Sequence, residues 1–401
     1  MMQITDLQKE QKIMPLLRLG FRPFFLFGAI FSVITIFIWL LILQGKSDLT
    51  PLGGGYWWHL HEMIFGFASA IIAGFLLTAV QTWTGVPGVQ NKSLLFLVML
   101  WLLARVALLL PEFFGENITM ILDIAFLPAV AIFLGKPIIK IKQYRNLFFV
   151  PLLILFTLVN VEFYLALVAP EHFSIKLTGY AGVMLITLLM SVMVGRVGPM
   201  FTANGTQTPK VTNIVWLDNA SNGSIAIIAF YLLFHPLHII NHQILGGLFI
   251  IAAIFQSIRI VRWRPWITIK VPLLWSLHLA VIFIVLGLFC IGASYFSSKL
   301  STSHLWHILT IGGMSGLILA MISRVSLGHT GRPLQPPKTM SIAFLLIFIA
   351  AIVRSFLPLF MPESIIAIYQ ASAGIWTLSF GLFIVHYAPM LLKNRLDGRP
   401  G

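Results

Sequence analysis

Charge is what this chain has least of. Only 9% of its 401 residues are Asp, Glu, Lys or Arg, against about a quarter in a soluble globular protein, whose surface must stay in water. A soluble fold is therefore excluded. Cysteine is nearly absent as well. Cys290 is the single one, which rules out an internal disulfide, a thiolate metal cage and a cofactor tethered through paired cysteines. Any metal must rely on His, Met or oxygen ligands. No glycine-rich phosphate loop is present, and the HExxH zinc-hydrolase pattern fails because Glu62 is followed by MIFG.

What is abundant is apolar. Hydrophobic residues make up 59% of the chain, with 33 Phe and 11 Trp, and the mean hydropathy is +0.95. The solvent of such a fold is lipid, where a spanning helix needs about 20 apolar residues. Apolar runs predict twelve helices, near 20–43, 57–82, 94–110, 118–135, 147–168, 177–195, 222–240, 243–258, 272–296, 304–324, 340–360 and 364–390. The run at 20–43 is too long for a cleavable signal and lacks a small-residue cleavage site, so it stays as the first helix. The fold class expected is an all-α membrane protein of about twelve spans, forming one polytopic domain over 1–401.

The 26 Lys and Arg exceed the 12 Asp and Glu by 14. In a membrane protein such cations report orientation, because cytoplasmic loops are enriched in them. With the N-terminus inside, 21 fall in cytoplasmic segments, three outside (Lys46, Lys176, Lys299) and two within helices (Arg105, Arg354). Both termini are thus expected in the cytoplasm. The basic balance is topology and attraction to anionic lipid, and nothing asks for nucleic acid.

The chain also resembles itself. WHLHEMIFG at 58–66 and WHILTIGG at 306–313 each open a helix, and Arg105 and Arg354 follow their histidines, His59 and His307, by 46 and 47 residues. RVGPMFT at 196–202 resembles RVSLGHT at 324–330. These recurrences predict three tandem four-helix units, 1–140, 141–265 and 266–401, related as parallel repeats are in some transporters.

Ionisable side chains inside spans are costly and usually paired or functional. Here they gather in one outer layer: His59, His61 and Glu62, Arg105, Asp123, Glu162, His304 and His307, and Arg354. Arg105 and Asp123 read equally well as an ion pair holding two helices together or as part of a ligand site. His278, His329 and His386 lie toward the other side. Neutral imidazole ligates haem iron, copper and zinc alike. A b-type haem needs axial His and cations for its propionates, and His59 or His61 with His307, Arg105 and Arg354 supplies such a set, with Glu62 fixing an imidazole tautomer. His278 and His329 are further metal candidates. The rival reading is a secondary transporter whose buried Arg, Asp and Glu line a substrate path.

Five motifs, RLGFRPFF at 18–25, WHLHEMIFG, GRVGPMFTAN at 195–204, RVSLGHTGRPL at 324–334 and RLDGRPG at 395–401, resemble the NnrS family in order and from end to end. The resemblance implies a bacterial inner-membrane protein of twelve spans that contains haem and copper and supports nitric oxide metabolism and resistance to nitrosative stress. On that resemblance the family motifs fall on His59, His61, Glu62, Arg105, Arg196, Thr202, Asn204, His278, His307, Arg324, His329 and Arg354. His235, His238, His242, His304 and His386 lie outside them and rank lower. Membrane lipid and either nitric oxide or haem and metal are the partners expected.

Overall fold

The computed structural model describes residues 7–237, 241–297 and 302–399. His238 and Lys299, both considered above, lie outside them. Among the described residues there is no strand, and twelve long helices follow one another: α1 (Phe21–Leu43), α2 (Gly54–Thr84), α3 (Asn91–Leu109), α4 (Glu116–Lys140), α5 (Phe149–Val168), α6 (Ile175–Thr206), α7 (Val215–Leu233), α8 (His242–Arg262), α9 (Pro272–Ser294), α10 (Thr302–His329), α11 (Lys338–Phe360) and α12 (Ile365–Leu392). Eleven are long and apolar enough to cross a membrane. The exception is α7, whose first half carries Asp218, Asn219 and Asn222. Side chains such as Phe37, 60% exposed, and Ile121, 62% exposed, face outward from apolar helices. That outward face suits hydrocarbon rather than water.

Five helices depart from the sequence expectation by four residues or more at one end or both; the fourth runs on past Lys136 to Lys140 and the tenth past Arg324 to His329. The seventh helix, expected at 222–240, begins earlier, at Val215, where Asp218 finds a cationic partner, and ends at Leu233. The eighth, expected to stop at 258, continues to Arg262, and its 21 residues reach about 32 Å at 1.5 Å each. The sixth, expected to stop at 195, runs through Arg196 and Pro199 to Thr206.

The chain packs as two compact units. The first comprises Met1–Ile175 with Arg324–Leu334 and Phe383–Gly401, and the second Lys176–Ser323 with Gln335–Leu382. These limits differ from the tandem units expected at 1–140, 141–265 and 266–401, which concern repetition along the sequence rather than packing.

In the first unit three of the five motifs meet. Arg22 of RLGFRPFF is fully buried and its Nη1 donates to the carbonyls of Leu391, 2.9 Å, and Lys393, 2.8 Å. It thereby satisfies the open C-terminal end of α12 with a cation, the sign that a helix C-terminus favours. The ring of Phe21 packs on His329, 5.5 Å between centroids, and the Leu396 N–H donates to the Thr330 carbonyl, 3.2 Å. In the second unit α8 and α9 approach closely at Gly246 and Gly292. A Cβ on Gly292 would lie 3.0 Å from the Gly246 carbonyl oxygen, so only small residues permit this crossing.

Two helices are locally unwound into π turns, α2 at Glu62–Ala68 and α10 at Ile308–Ser315. Each begins directly after the Trp-His segment that recurs in the sequence. A π turn inside an α-helix is uncommon and is found disproportionately at functional sites.

Candidate functional site

In the first unit, four helices bring together a buried cluster of ionisable and polar groups. His61 and Glu62 come from α2, Arg105 from α3, Asp123 from α4, and Asn160 and Tyr164, one turn apart, from α5. All six are buried, with His61 and Glu62 completely inaccessible. The Arg105 guanidinium bridges the two acids: Nη1 donates to Glu62 Oε1 at 2.6 Å and Nη2 donates to Asp123 Oδ1. Asp123 Oδ2 accepts from Asn160 Nδ2, 2.8 Å, and from the Tyr164 hydroxyl, 3.0 Å.

His61 closes the network. Its Nδ1 lies 3.0 Å from Glu62 Oε1, and its Nε2 lies 2.9 Å from Asn160 Oδ1 and 3.0 Å from Asp123 Oδ2. Every one of these oxygens is an acceptor, so both ring nitrogens are satisfied when both carry protons. An imidazolium beside Arg105 gives two cations against two carboxylates, a neutral set. Trp57 stacks flat on the ring, 4.6 Å between centroids and 7° from parallel, and is itself held by a hydrogen bond from its Nε1 to the Phe163 carbonyl, 2.8 Å.

The π turn makes room for this. A Cβ on Gly66 would lie 2.8 Å from Glu62 Oε2 and would overlap the Phe31 ring, while the Gly66 carbonyl accepts from Trp101 Nε1, 2.9 Å. Glu62 Oε2 itself is buried without a hydrogen-bond partner, the one unsatisfied acceptor in the cluster.

This arrangement does not fit His61, Glu62 and Arg105 as a haem or metal set. An imidazole engaged at both nitrogens has no lone pair for iron or copper, and a guanidinium spent on two carboxylates has no charge left for a propionate. Of the two readings open for Arg105 and Asp123, the geometry gives the ion pair. His59 is separate: it is half-buried and stacks on Trp39, 4.7 Å between centroids and 8° from parallel.

The second unit treats its cations differently. Arg354 on α11 donates from Nη1 to His304 Nδ1, 3.1 Å, and lies 3.6 Å above the ring of Tyr369. Neither of these two partners carries a formal negative charge. His307, one turn beyond His304 on the same face of α10, donates from Nδ1 to the Ser303 carbonyl, 3.1 Å. In the neutral ring Nε2 is then the lone-pair nitrogen, the tautomer that a second-shell carbonyl imposes on metal-binding imidazoles. His304 and Tyr369 were not marked by the motifs. The three-residue spacing of His304 and His307 was the signal that they share a face.

His278 is buried, with Nε2 2.8 Å from Thr202 Oγ1 and Nδ1 unpartnered. His329, in the first unit, is held against Phe21. Among the described residues no three His, Cys, Asp or Glu side chains are arranged to hold a metal ion by themselves.

A second buried ion pair escaped the sequence reading. Arg259, assigned there to a cytoplasmic loop, is 3% exposed on α8. Its Nε donates to Asp218 Oδ1 of α7 at 2.7 Å, and its Nη1 to the carbonyl and hydroxyl of Ser191 on α6 at 3.1 and 2.9 Å. Gln256 Nε2 adds a bond to Ser191 Oγ, 2.7 Å. Gly195 of GRVGPMFTAN lies against the guanidinium, which a Cβ there would overlap. The available signal was scarcity: among 12 acids, Asp218 stands alone in a long neutral stretch.

Apolar helices with outward hydrophobic faces and ionisable groups packed between them define a multi-pass helical membrane protein. The family model for the NnrS protein matches residues 15–395, and the chain belongs to the NnrS family. No curated protein matches the sequence.

Proposed function

We propose that this protein is a haem-containing, copper-handling component of nitric oxide metabolism and of resistance to nitrosative stress. Its place would be the bacterial inner membrane, with both termini cytoplasmic as the Lys and Arg distribution indicates. Family membership supports the role, and one observation supports the location of the cofactor. The Arg105 charge is neutralised by Glu62 and Asp123, whereas Arg354 is held by His304 and Tyr369, neither of which brings a negative charge. A cation partly buried in a span without an acid among its described partners calls for an anionic ligand.

His307 would hold the haem iron through Nε2, and Arg354 would hold an acidic side chain of the porphyrin. His59, half-buried and outside the closed cluster, is the candidate imidazole for copper. When bound, the haem supplies an iron atom able to take nitric oxide. The chain's own contribution is orientation: Ser303 fixes the His307 tautomer, and Tyr369 and His304 hold the guanidinium in place. Nitric oxide is apolar and reaches such a centre through the bilayer.

Metal analysis and the absorption spectrum of the detergent-purified protein test this. Haem is expected in the wild-type protein, reduced by about tenfold or more in His307→Ala and several-fold in Arg354→Gln, and retained in His278→Ala. A haem-free preparation, or one in which His307→Ala retains its full haem content, contradicts the proposal. The closed ionic cluster favours a second reading, a transporter in which His61, Glu62 and Asp123 carry a proton. Colourless protein with pH-dependent uptake into vesicles supports that reading instead.

A further inference from the structure

The first unit contains a cavity of about 350 Å³ where α2 ends, α3 begins and the last turns of α4 pass. Its walls are mostly apolar, among them Val80, Val86, Phe133 and Pro137, and Gln90, Ser93, Lys136 and Lys140 are its polar lining. The two lysines are four residues apart and share a helix face. Both are exposed. Lys140 is the last residue of its span and Lys136 lies one turn inside it, the depth at which a bilayer changes from acyl chain to headgroup. Lys136 Nζ lies 5.5 Å over the Phe133 ring.

Counter-charge is missing from the segments that build the cavity. The chain carries no Asp or Glu between Glu62 and Glu112, nor between Asp123 and Glu162, so the cavity lining holds two ammonium groups, Lys92 lies beside it, and these segments supply no acid. An apolar hollow with paired cations at the membrane boundary matches a molecule with an apolar body and an anionic head.

We propose that this cavity binds an anionic phospholipid, with its phosphate between Lys136 and Lys140 and its glycerol and proximal acyl carbons against Val80, Val86 and Phe133. Basic pockets between spanning helices recognise anionic headgroups in this way, each lysine adding to the attraction. The site is independent of the proposed cofactor.

The test uses the full-length protein in phosphatidylcholine nanodiscs containing a minor fraction of phosphatidylglycerol, with native mass spectrometry counting the lipid retained. One phosphatidylglycerol is expected to remain bound in preference to phosphatidylcholine. The double variant Lys136→Gln/Lys140→Gln should lose that preference by roughly thirtyfold. Val86→Trp, which fills the hollow and leaves both lysines in place, should also release it. Lys92→Gln/Lys142→Gln removes charge near the same end without touching the cavity lining and should retain it.

Three results overturn the proposal: unchanged retention in the Lys136→Gln/Lys140→Gln protein, an equal loss in Lys92→Gln/Lys142→Gln, which makes the effect one of diffuse surface charge, or displacement of the lipid by millimolar inorganic phosphate, which makes the site one for free anions.

Discussion

Arg105 and Arg354 hold matching places in the sequence, yet each solves the burial of a guanidinium differently. Arg105 is matched by two carboxylates with His61 beside them, so removing it strands paired acids away from water. Breaking one partner out of a buried ion pair costs about 3–5 kcal/mol. Arg105→Gln should therefore lower the melting temperature sharply, and combining it with Asp123→Asn should cost less than the two changes added together, a coupling read from a double-mutant cycle. Additive losses would mean the pair is not energetically linked. The Arg259–Asp218 pair carries a related prediction. Gly195→Ala places a methyl group where the guanidinium lies, and overpacking of this kind costs about 1–3 kcal/mol. A matching loss of thermal stability is expected, and an unchanged melting temperature would show that Arg259 moves aside freely.

Among elements, the two π turns distinguish α2 and α10 from the other long helices. In α2 the turn places Glu62 and Gly66 so that a carboxylate, a phenyl ring and the Trp101 indole share one small space. Gly66→Ala should disturb this packing and reduce stability, and an unperturbed melting curve would show that Phe31 and Glu62 have room to give way. Helix α12 is fastened at its C-terminal end by Arg22. Arg22→Gln should free the last turn, measured as faster amide exchange at 388–392, because two charge-assisted hydrogen bonds to carbonyls are lost.

The elements were legible because their cause is local. Runs of about 20 apolar residues predict spans, and twelve helices lie close to where those runs place them. Misplaced ends include those at Asp218 and Arg259, polar residues that a hydropathy pattern rejects and tertiary pairing accepts. The site was legible only in composition. His61, Glu62, Arg105 and Asp123 were visible as costly residues in one layer, whereas their mutual orientation depends also on Asn160, Tyr164 and Trp57, neutral side chains whose role here the sequence does not signal.

At the scale of the whole molecule, scarce charge is sorted by purpose. Most cations lie at span ends and orient the chain, a few are closed into neutral clusters between helices, and Arg354 meets a histidine and a tyrosine. The orientation is checked by replacing Cys290 with Ser and introducing single cysteines at Lys46 and Lys338. A membrane-impermeant thiol reagent added to intact cells should label the first and spare the second, and the reverse pattern would invert the topology. The central claim is that His307 and Arg354 hold a haem that meets nitric oxide in the membrane. The most direct measurement is the absorption spectrum of the purified, reduced protein before and after nitric oxide is added. A haem band that shifts on addition in the wild-type protein, and is lost in His307→Ala while His278→Ala keeps it, is the result predicted. A spectrum without a haem band, or one in which His307→Ala retains the full shift, would contradict it.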